Sequence, residues 1–216
     1  MRFASREDAG RKLGQYLKEQ QVEAEVVLGL PRGGVVVAAA VARILQLPLD
    51  VLIVRKIGHP MQREFAVGAL AEGDVVVLDE AASAISPFLK PELDEIIEEE
   101  KKRLSAYGVR FHRQGSPALA GKAVLLVDDG LATGATTEAA VLSVKKQAAR
   151  SVIVATPVAS RHAVKRLEGL ANQVKALLVD PDFVAVGQYY DVFPQTTDDQ
   201  VLEVLGAAPW RLGDCS

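Results

Sequence analysis

Cysteine is almost absent: Cys215, next to the last of the 216 residues, is the only one. A lone thiol excludes an intramolecular disulfide and any cysteine-built metal cluster, and it fits a reducing, cytoplasmic compartment. An excess of either charge is lacking as well. Twenty-five Lys and Arg stand against 28 Asp and Glu, a formal charge of -3, so no global field gathers nucleic acid or an anionic membrane, and any anion site must be local. No apolar run approaches the roughly twenty residues that span a bilayer, and the opening residues MRFASREDAGRKLG lack the apolar centre of a signal peptide. The expectation is a soluble chain. Internal repeats and low-complexity tracts are missing, and so are the Gly-x-Gly-x-x-Gly and Gly-x-x-x-x-Gly-Lys-Ser/Thr nucleotide loops.

What remains, 49% hydrophobic and 25% charged residues, suits one compact α/β domain with a sizeable core and small appendages. Ser5 followed by Asp8 has the form of a capping box, and Ala9, Leu13, Tyr16 and Leu17 share a face of a helix that reaches residue 19. Residues 25–30 form a short apolar strand ending at Pro31-Arg32-Gly33-Gly34, and 35–45 read as a buried helix opened by glycines. A second β-branched run, 50–54, stops at Arg55-Lys56-Ile57-Gly58-His59-Pro60, where polar residues, Gly and Pro signal a loop. Two further strands, 66–71 and 75–78, flank the turn residues Glu72-Gly73-Asp74 and predict a hairpin. Helical spacing recurs over 91–107, where the run Glu98 to Arg103 reads as a solvated face. After a loop at 115–121, strand 124–127, helix 136–150, strand 152–156, helix 161–171 and strand 174–179 alternate. Such alternation predicts a parallel sheet covered on both faces. The tail is irregular, with a short helix over 198–205.

Residues 124–136 carry the chemistry. Asp128 and Asp129 stand at the carboxyl end of a buried strand, where ligands of open α/β sheets bind. Ala132, Thr133, Gly134, Ala135 and Thr136 follow and bend into the first turn of a helix, whose unpaired N–H groups and dipole, with two threonine hydroxyls, suit a phosphate. Either acid alone would be an ordinary turn residue. The whole string, four apolar residues, two acids, small residues and Thr-Gly-x-Thr, resembles the 5-phosphoribosyl 1-pyrophosphate (PRPP) signature of the type I phosphoribosyltransferases. Arg55-Lys56-Ile57-Gly58, Val67-Gly68-Ala69-Leu70 and Val186-Gly187-Gln188-Tyr189-Tyr190 also look like an uncharacterised bacterial group of predicted phosphoribosyltransferases, a resemblance that covers nearly the whole chain.

The resemblance implies an α/β fold with a mainly parallel central sheet, a core over about residues 22–180 and a small hood from 1–21 and 181–216. It implies transfer of the phosphoribosyl group from PRPP to a nitrogenous acceptor, with PRPP-sensing without catalysis as the alternative. Asp128 and Asp129 would take the ribose hydroxyls, and 132–136 the 5-phosphate. Arg32, Gly33 and Gly34 sit where a pyrophosphate loop belongs; glycine lets N–H groups approach closely, although Arg-Gly-Gly alone is more often a plain turn. Arg55 and Lys56 would neutralise the leaving group, 57–65 would be the mobile loop that closes over the reacting centre, and His59 reads as plain loop. Mg²⁺ is implied, bound mainly through PRPP rather than by direct protein ligands. Phe183 would stack on the acceptor, though it suits packing of the tail equally well. Ala132, where 6-oxopurine enzymes carry an acid, and the lack of lysine over 151–160 depart from that subgroup and leave the acceptor open. Relatives with this pattern are commonly homodimers.

Overall fold

A computed structural model describes residues 1–79, 82, 84–112 and 115–207. Cys215 and residues 208–216 of the expected hood lie outside the described residues. In chain order the elements are helix α1 (Arg6–Glu19), strand β1 (Val26–Gly29), α2 (Gly33–Leu45), β2 (Leu49–Val51), β3 (Val54–His59), β4 (Gln62–Ala71), β5 (Val75–Leu78), α3 (Lys90–Phe111), β6 (Ala123–Val127), α4 (Ala135–Lys146), β7 (Ser151–Ser160), α5 (Arg161–Leu167), β8 (Gln173–Asp180) and α6 (Asp198–Ala207). Five strands form a parallel sheet in the order β2-β1-β6-β7-β8, and β3, β4 and β5 form a separate antiparallel sheet.

The parallel sheet explains the uninterrupted apolar runs. In β1, β6 and β7 successive side chains leave on opposite faces and both faces are covered, so no polar alternation is required. Val26, Leu28, Val124, Leu126, Val152 and Val154 pack under Ala139, Ala140, Val141 and Val144 of α4. Val27, Leu125, Val127 and Ile153 face Leu13 and Leu17 of α1 and Val35, Ala38 and Val41 of α2. Those two helices meet closely because α1 offers Gly10, where a Cβ would stand 2.6 Å from the Val37 carbonyl oxygen.

Three expectations require correction. The run 50–54 is not one strand: β2 ends at Val51, and Val54 begins β3 in the other sheet. The loop expected at 55–60, and with it the loop form of 57–65, is the β3–β4 hairpin, in which Arg55 pairs with Leu70, Lys56 with Ala69 and His59 with Gln62. A ladder is made by main-chain groups, so it tolerates the polar side chains and glycine that look like loop. Gly58 sits at register shifts in this ladder, and a Cβ there would come within 2.3 Å of the Arg63 carbonyl oxygen. Finally, the helices expected over 136–150 and 161–171 stop at Lys146 and Leu167, the chain turning at Ala148 (φ 58°) and Gly169 (φ 84°). The β4–β5 turn at Glu72-Gly73-Asp74 is as expected, with Gly73 and Asp74 both at positive φ.

The start of the chain and its tail are joined. Phe3 donates its N–H to the Tyr189 carbonyl oxygen (2.8 Å) and accepts from Asp191 N–H (2.8 Å), while Phe3, Tyr189 and Tyr190 are buried with Val158. Arg6 at the head of α1 is thereby set above the carboxyl ends of β1 and β6.

Candidate phosphoribosyl site

Strands β1 and β6 are hydrogen-bonded neighbours, with Gly29 in register with Val127. The segment after β1, Leu30 to Gly34, and the acids after β6 therefore emerge side by side. Their contact is intimate: a Cβ on Gly33 would lie 2.0 Å from Asp129 Oδ2, and one on Gly34 would lie 2.8 Å from Asp128 Oδ1. Only residues without a Cβ admit the two carboxylates against the first turn of α2, whose N-terminal dipole favours negative charge there.

Asp128 Oδ1 accepts from the Asp129 N–H at 2.8 Å. Asp129 Oδ2 accepts from Arg6 Nε at 2.7 Å, an ion pair with side chains only 11% and 15% exposed. The Tyr190 hydroxyl donates to the Asp129 carbonyl oxygen at 2.6 Å. Burial raises the proton affinity of both acids above that of an ordinary carboxylate; the charge of Asp129 adds to the effect at Asp128, and Arg6 opposes it at both. The charge of Lys56 also lowers the proton affinity of Asp128. Arg55, one residue earlier and on the other face of β3, is engaged elsewhere: its Nε lies 2.7 Å from Glu100 Oε2, and its guanidinium sits 5.4 Å from the Tyr107 ring centre. Arg32 Nη1 is 3.7 Å from Asp198 Oδ1 at the start of α6, and Arg110 holds that same aspartate at 2.7 Å.

The segment from Gly130 to Thr136 is braced against β7 and α5. Leu131 donates to Val158 (2.9 Å) and accepts from Ser160 N–H (2.8 Å), and Ser160 Oγ donates to the Ala132 carbonyl oxygen at 2.5 Å. Gly134 caps α4 at φ 78°, a left-handed conformation that suits glycine, and a Cβ there would press Ala163 at 3.3 Å. Ala132 and Thr133 are exposed at the mouth of this turn, with Ala135 and Thr136 half-buried in the first turn of the helix. Phe183 is stacked on Tyr189, ring centres 5.4 Å apart and planes 28° from parallel, and is half-buried.

Thus Gly33, Gly34, Asp128 and Asp129 come together, and Asp128 feels the charge of Lys56, whereas Arg55 is paired with Glu100. Sequence reasoning missed Arg6, Tyr190 and Ser160. Arg6 and Asp129 are 123 positions apart, and no local pattern marks such a pair. A cavity of about 490 Å³ lies on the far side of Arg6, between α1, α2 and α6, lined by Ala39, Ala40, Leu49 and Val204; it shares Arg6 with the acid pair but neither acid. Among the described residues no group of three or more His, Cys, Asp or Glu is arranged to hold a metal ion, and no helix is long and apolar enough to cross a membrane.

The phosphoribosyl transferase domain model matches residues 4–193. The chain belongs to the phosphoribosyl transferase family. Within it, two Mycobacterium tuberculosis proteins, from strains CDC 1551 and H37Rv and each named "Putative phosphoribosyl transferase", are 42% identical over 207 residues. The match covers 95% of this chain and 47% of each of theirs, so the chain spans about half the length of these curated relatives. The crystal structure of TT1426 from Thermus thermophilus is similar over 98% of this chain and 100% of that one, at 45% identity and a TM-score of 0.80. A hypothetical protein from Neisseria gonorrhoeae, solved with bound ppGpp, shares the fold at 13% identity and a TM-score of 0.51, over 96% of this chain and 94% of that one.

Proposed function

We propose that this phosphoribosyl transferase domain moves the 5-phosphoribosyl group of PRPP to a nitrogenous acceptor and releases pyrophosphate. The observation that carries the reading is the contact of Gly33 and Gly34 with Asp129 and Asp128, because a ligand lying there meets helix N–H groups and carboxylates at once. PRPP has matching parts, an anionic pyrophosphate on C1 and hydroxyls on C2 and C3.

In this reading the turn from Ala132 to Thr136 and the first N–H groups of α4 hold the 5-phosphate. Asp128 and Asp129 accept hydrogen bonds from the ribose hydroxyls and stay close to the carbon that becomes positive. Arg32, Gly33, Gly34 and Lys56 receive the pyrophosphate. As the C1–O bond breaks, its electron pair leaves with pyrophosphate, and the acceptor nitrogen forms the new C1–N bond and releases a proton. Growth of charge on the leaving group makes a fixed cation such as Lys56 more valuable in the transition state than in the ground state. With its guanidinium on Glu100, Arg55 serves to hold β3 against α3 rather than to meet the leaving group. The β3–β4 hairpin, whose Met61 and Phe65 are exposed, is the element that would close over the centre and exclude water.

The two carboxylates at one strand end suit a Mg²⁺ carried in on PRPP oxygens, since a hard cation keeps phosphate and water ligands and needs no protein cage. When bound, that ion would neutralise the pyrophosphate. Phe183, backed by Tyr189, offers the acceptor a half-buried aromatic face.

Calorimetric titration of PRPP with Mg²⁺, with ribose 5-phosphate and pyrophosphate titrated separately, tests the donor site. Magnesium-dependent binding, abolished by Asp128→Asn with Asp129→Asn, supports it, and an affinity unchanged in that double variant refutes the ribose assignment. Binding without turnover over a nucleobase panel would make the protein a PRPP sensor.

A further inference from the structure

Arg6 belongs to α1, outside both segments that meet in the site, yet it is the side chain that fixes Asp129. Its Nε donates to Asp129 Oδ2 at 2.7 Å, its Nη1 donates to the Pro194 carbonyl oxygen at 2.7 Å, and its guanidinium carbon lies 3.7 Å from the centre of the Phe193 ring. Phe193 in turn packs on Tyr190, ring centres 4.8 Å apart, and the Tyr190 hydroxyl holds the Asp129 carbonyl oxygen at 2.6 Å. The chain of contacts closes on itself: Asp129, Arg6, Phe193, Tyr190 and back to Asp129. Both polar ends of this aspartate, its carboxylate and its main-chain carbonyl, are therefore set by the N-terminal helix and the tail. A Cβ on Gly33 would be 2.6 Å from Arg6 Nε and 2.0 Å from Asp129 Oδ2, so the ion pair is seated directly on the loop after β1. With Oδ2 committed to Arg6, the direction of the other oxygen is fixed.

We propose that Arg6 is a positioning residue for sugar recognition: by pairing with Asp129 it holds that carboxylate in the orientation that accepts a ribose hydroxyl, and so makes the ribose site depend on the seating of the N-terminal helix and tail. The inference rests on the PRPP reading above. A long-range ion pair that served only to dock α1 would be free to sit anywhere along the helix, whereas this one ends on the acid that faces both the β1 loop and the sugar position. The guanidinium is also held on three sides, by a carboxylate, a carbonyl and an aromatic face, an arrangement that a point-charge ammonium cannot reproduce.

The test compares ligands that carry the sugar with one that does not. Wild type, Arg6→Ala and Arg6→Lys are titrated, in the presence of Mg²⁺, with PRPP, ribose 5-phosphate and pyrophosphate, and thermal unfolding is followed in parallel. The expected result is that Arg6→Ala weakens PRPP and ribose 5-phosphate by about tenfold or more, the loss typical of a misplaced charged hydrogen-bond acceptor, and weakens pyrophosphate, whose loop at Gly33 also touches the ion pair, clearly less. Arg6→Lys is expected to recover only part of the loss. Should Arg6→Ala not fold, Arg6→Gln is read in the same way. An equal loss for pyrophosphate and for the sugar ligands would overturn the inference, and so would full affinity for all three in the variants. Wild type that binds neither PRPP nor ribose 5-phosphate would overturn the PRPP reading and this inference with it, an outcome distinct from loss confined to the variants.

Discussion

His112 is expected to make the protein lose stability as pH rises through about 9. The residue follows α3, its side chain is 4% exposed, and its Nε2 lies 2.7 Å from Glu72 Oε1 on the β4–β5 turn. Its Nδ1 is 3.4 Å from Asp50 Oδ1 on β2, near enough for charge attraction though not aligned as a hydrogen bond. Burial acts against the charged ring, but the two carboxylates outweigh it and raise the pKa from 6.5 to about 9. Because the folded value lies above the unfolded one, the native state binds the extra proton. The stabilisation is then complete below about pH 6.5 and declines as pH rises, until it is gone above about 9. A rise from 6.5 to about 9 corresponds to about 3 kcal/mol at pH 6, at about 1.4 kcal/mol per pKa unit. The unaligned Asp50 contact and residual solvent screening make about 3 kcal/mol the upper bound. Urea unfolding of wild type and His112→Gln at pH 6, 7.5, 9 and 10 measures it directly. The gap between the two proteins should shrink by up to about 3 kcal/mol from pH 6 to pH 10, and a gap that is the same at every pH would refute the reasoning. Structurally the triad ties α3 to both sheets, so the pH-dependent loss should be accompanied by loosening of the β3–β5 sheet rather than of β6 and β7.

Other perturbations separate the parts of the site. Gly33→Ala places a methyl 2.0 Å from Asp129 Oδ2 and should weaken PRPP binding by about tenfold or more through displacement of that carboxylate; calorimetry with unchanged affinity would show that the loop and acid do not share a ligand. Asp128→Asn with Asp129→Asn should cost roughly a hundredfold or more in PRPP affinity while the protein stays folded, relief of the repulsion between the acids offsetting part of the lost Arg6–Asp129 ion pair; far-UV circular dichroism and titration check both halves. Lys56→Ala should lower kcat more than it raises the PRPP dissociation constant, and equal losses in single-turnover and binding measurements would remove it from the leaving-group role.

Much of the architecture was legible because it depends on local signals. Residues 124–127 and 152–155 are continuous apolar runs, which a strand buried on both faces requires, and the glycines at 33, 34 and 134 mark where the chain must turn or be approached closely. The β3–β4 hairpin was not legible for the converse reason. Its ladder uses backbone groups, its outer half (Gln62, Arg63, Glu64, Phe65) is exposed, and Gly58 and Pro60 mimic a loop. Side-chain period carries no information where neither face is buried.

The same division runs through the candidate site. Asp128, Asp129 and the turn after them form one continuous string, so the spacing alone suggests a sugar phosphate. The partners of that string come from far away: Gly33 and Gly34 because parallel pairing sets Gly29 beside Val127, Arg6 because Phe3 is clamped between Tyr189 and Asp191, and Ser160 because β7 runs four residues past its expected end. Each of these is a consequence of topology. Arg55 and Lys56 show the limit most sharply. Adjacent in sequence and equal in charge, they leave opposite faces of one strand, so α3 takes the first with Glu100 and Asp128 feels the second. A motif counts charges; a strand distributes them, and only the distribution determines which cation can meet a leaving group.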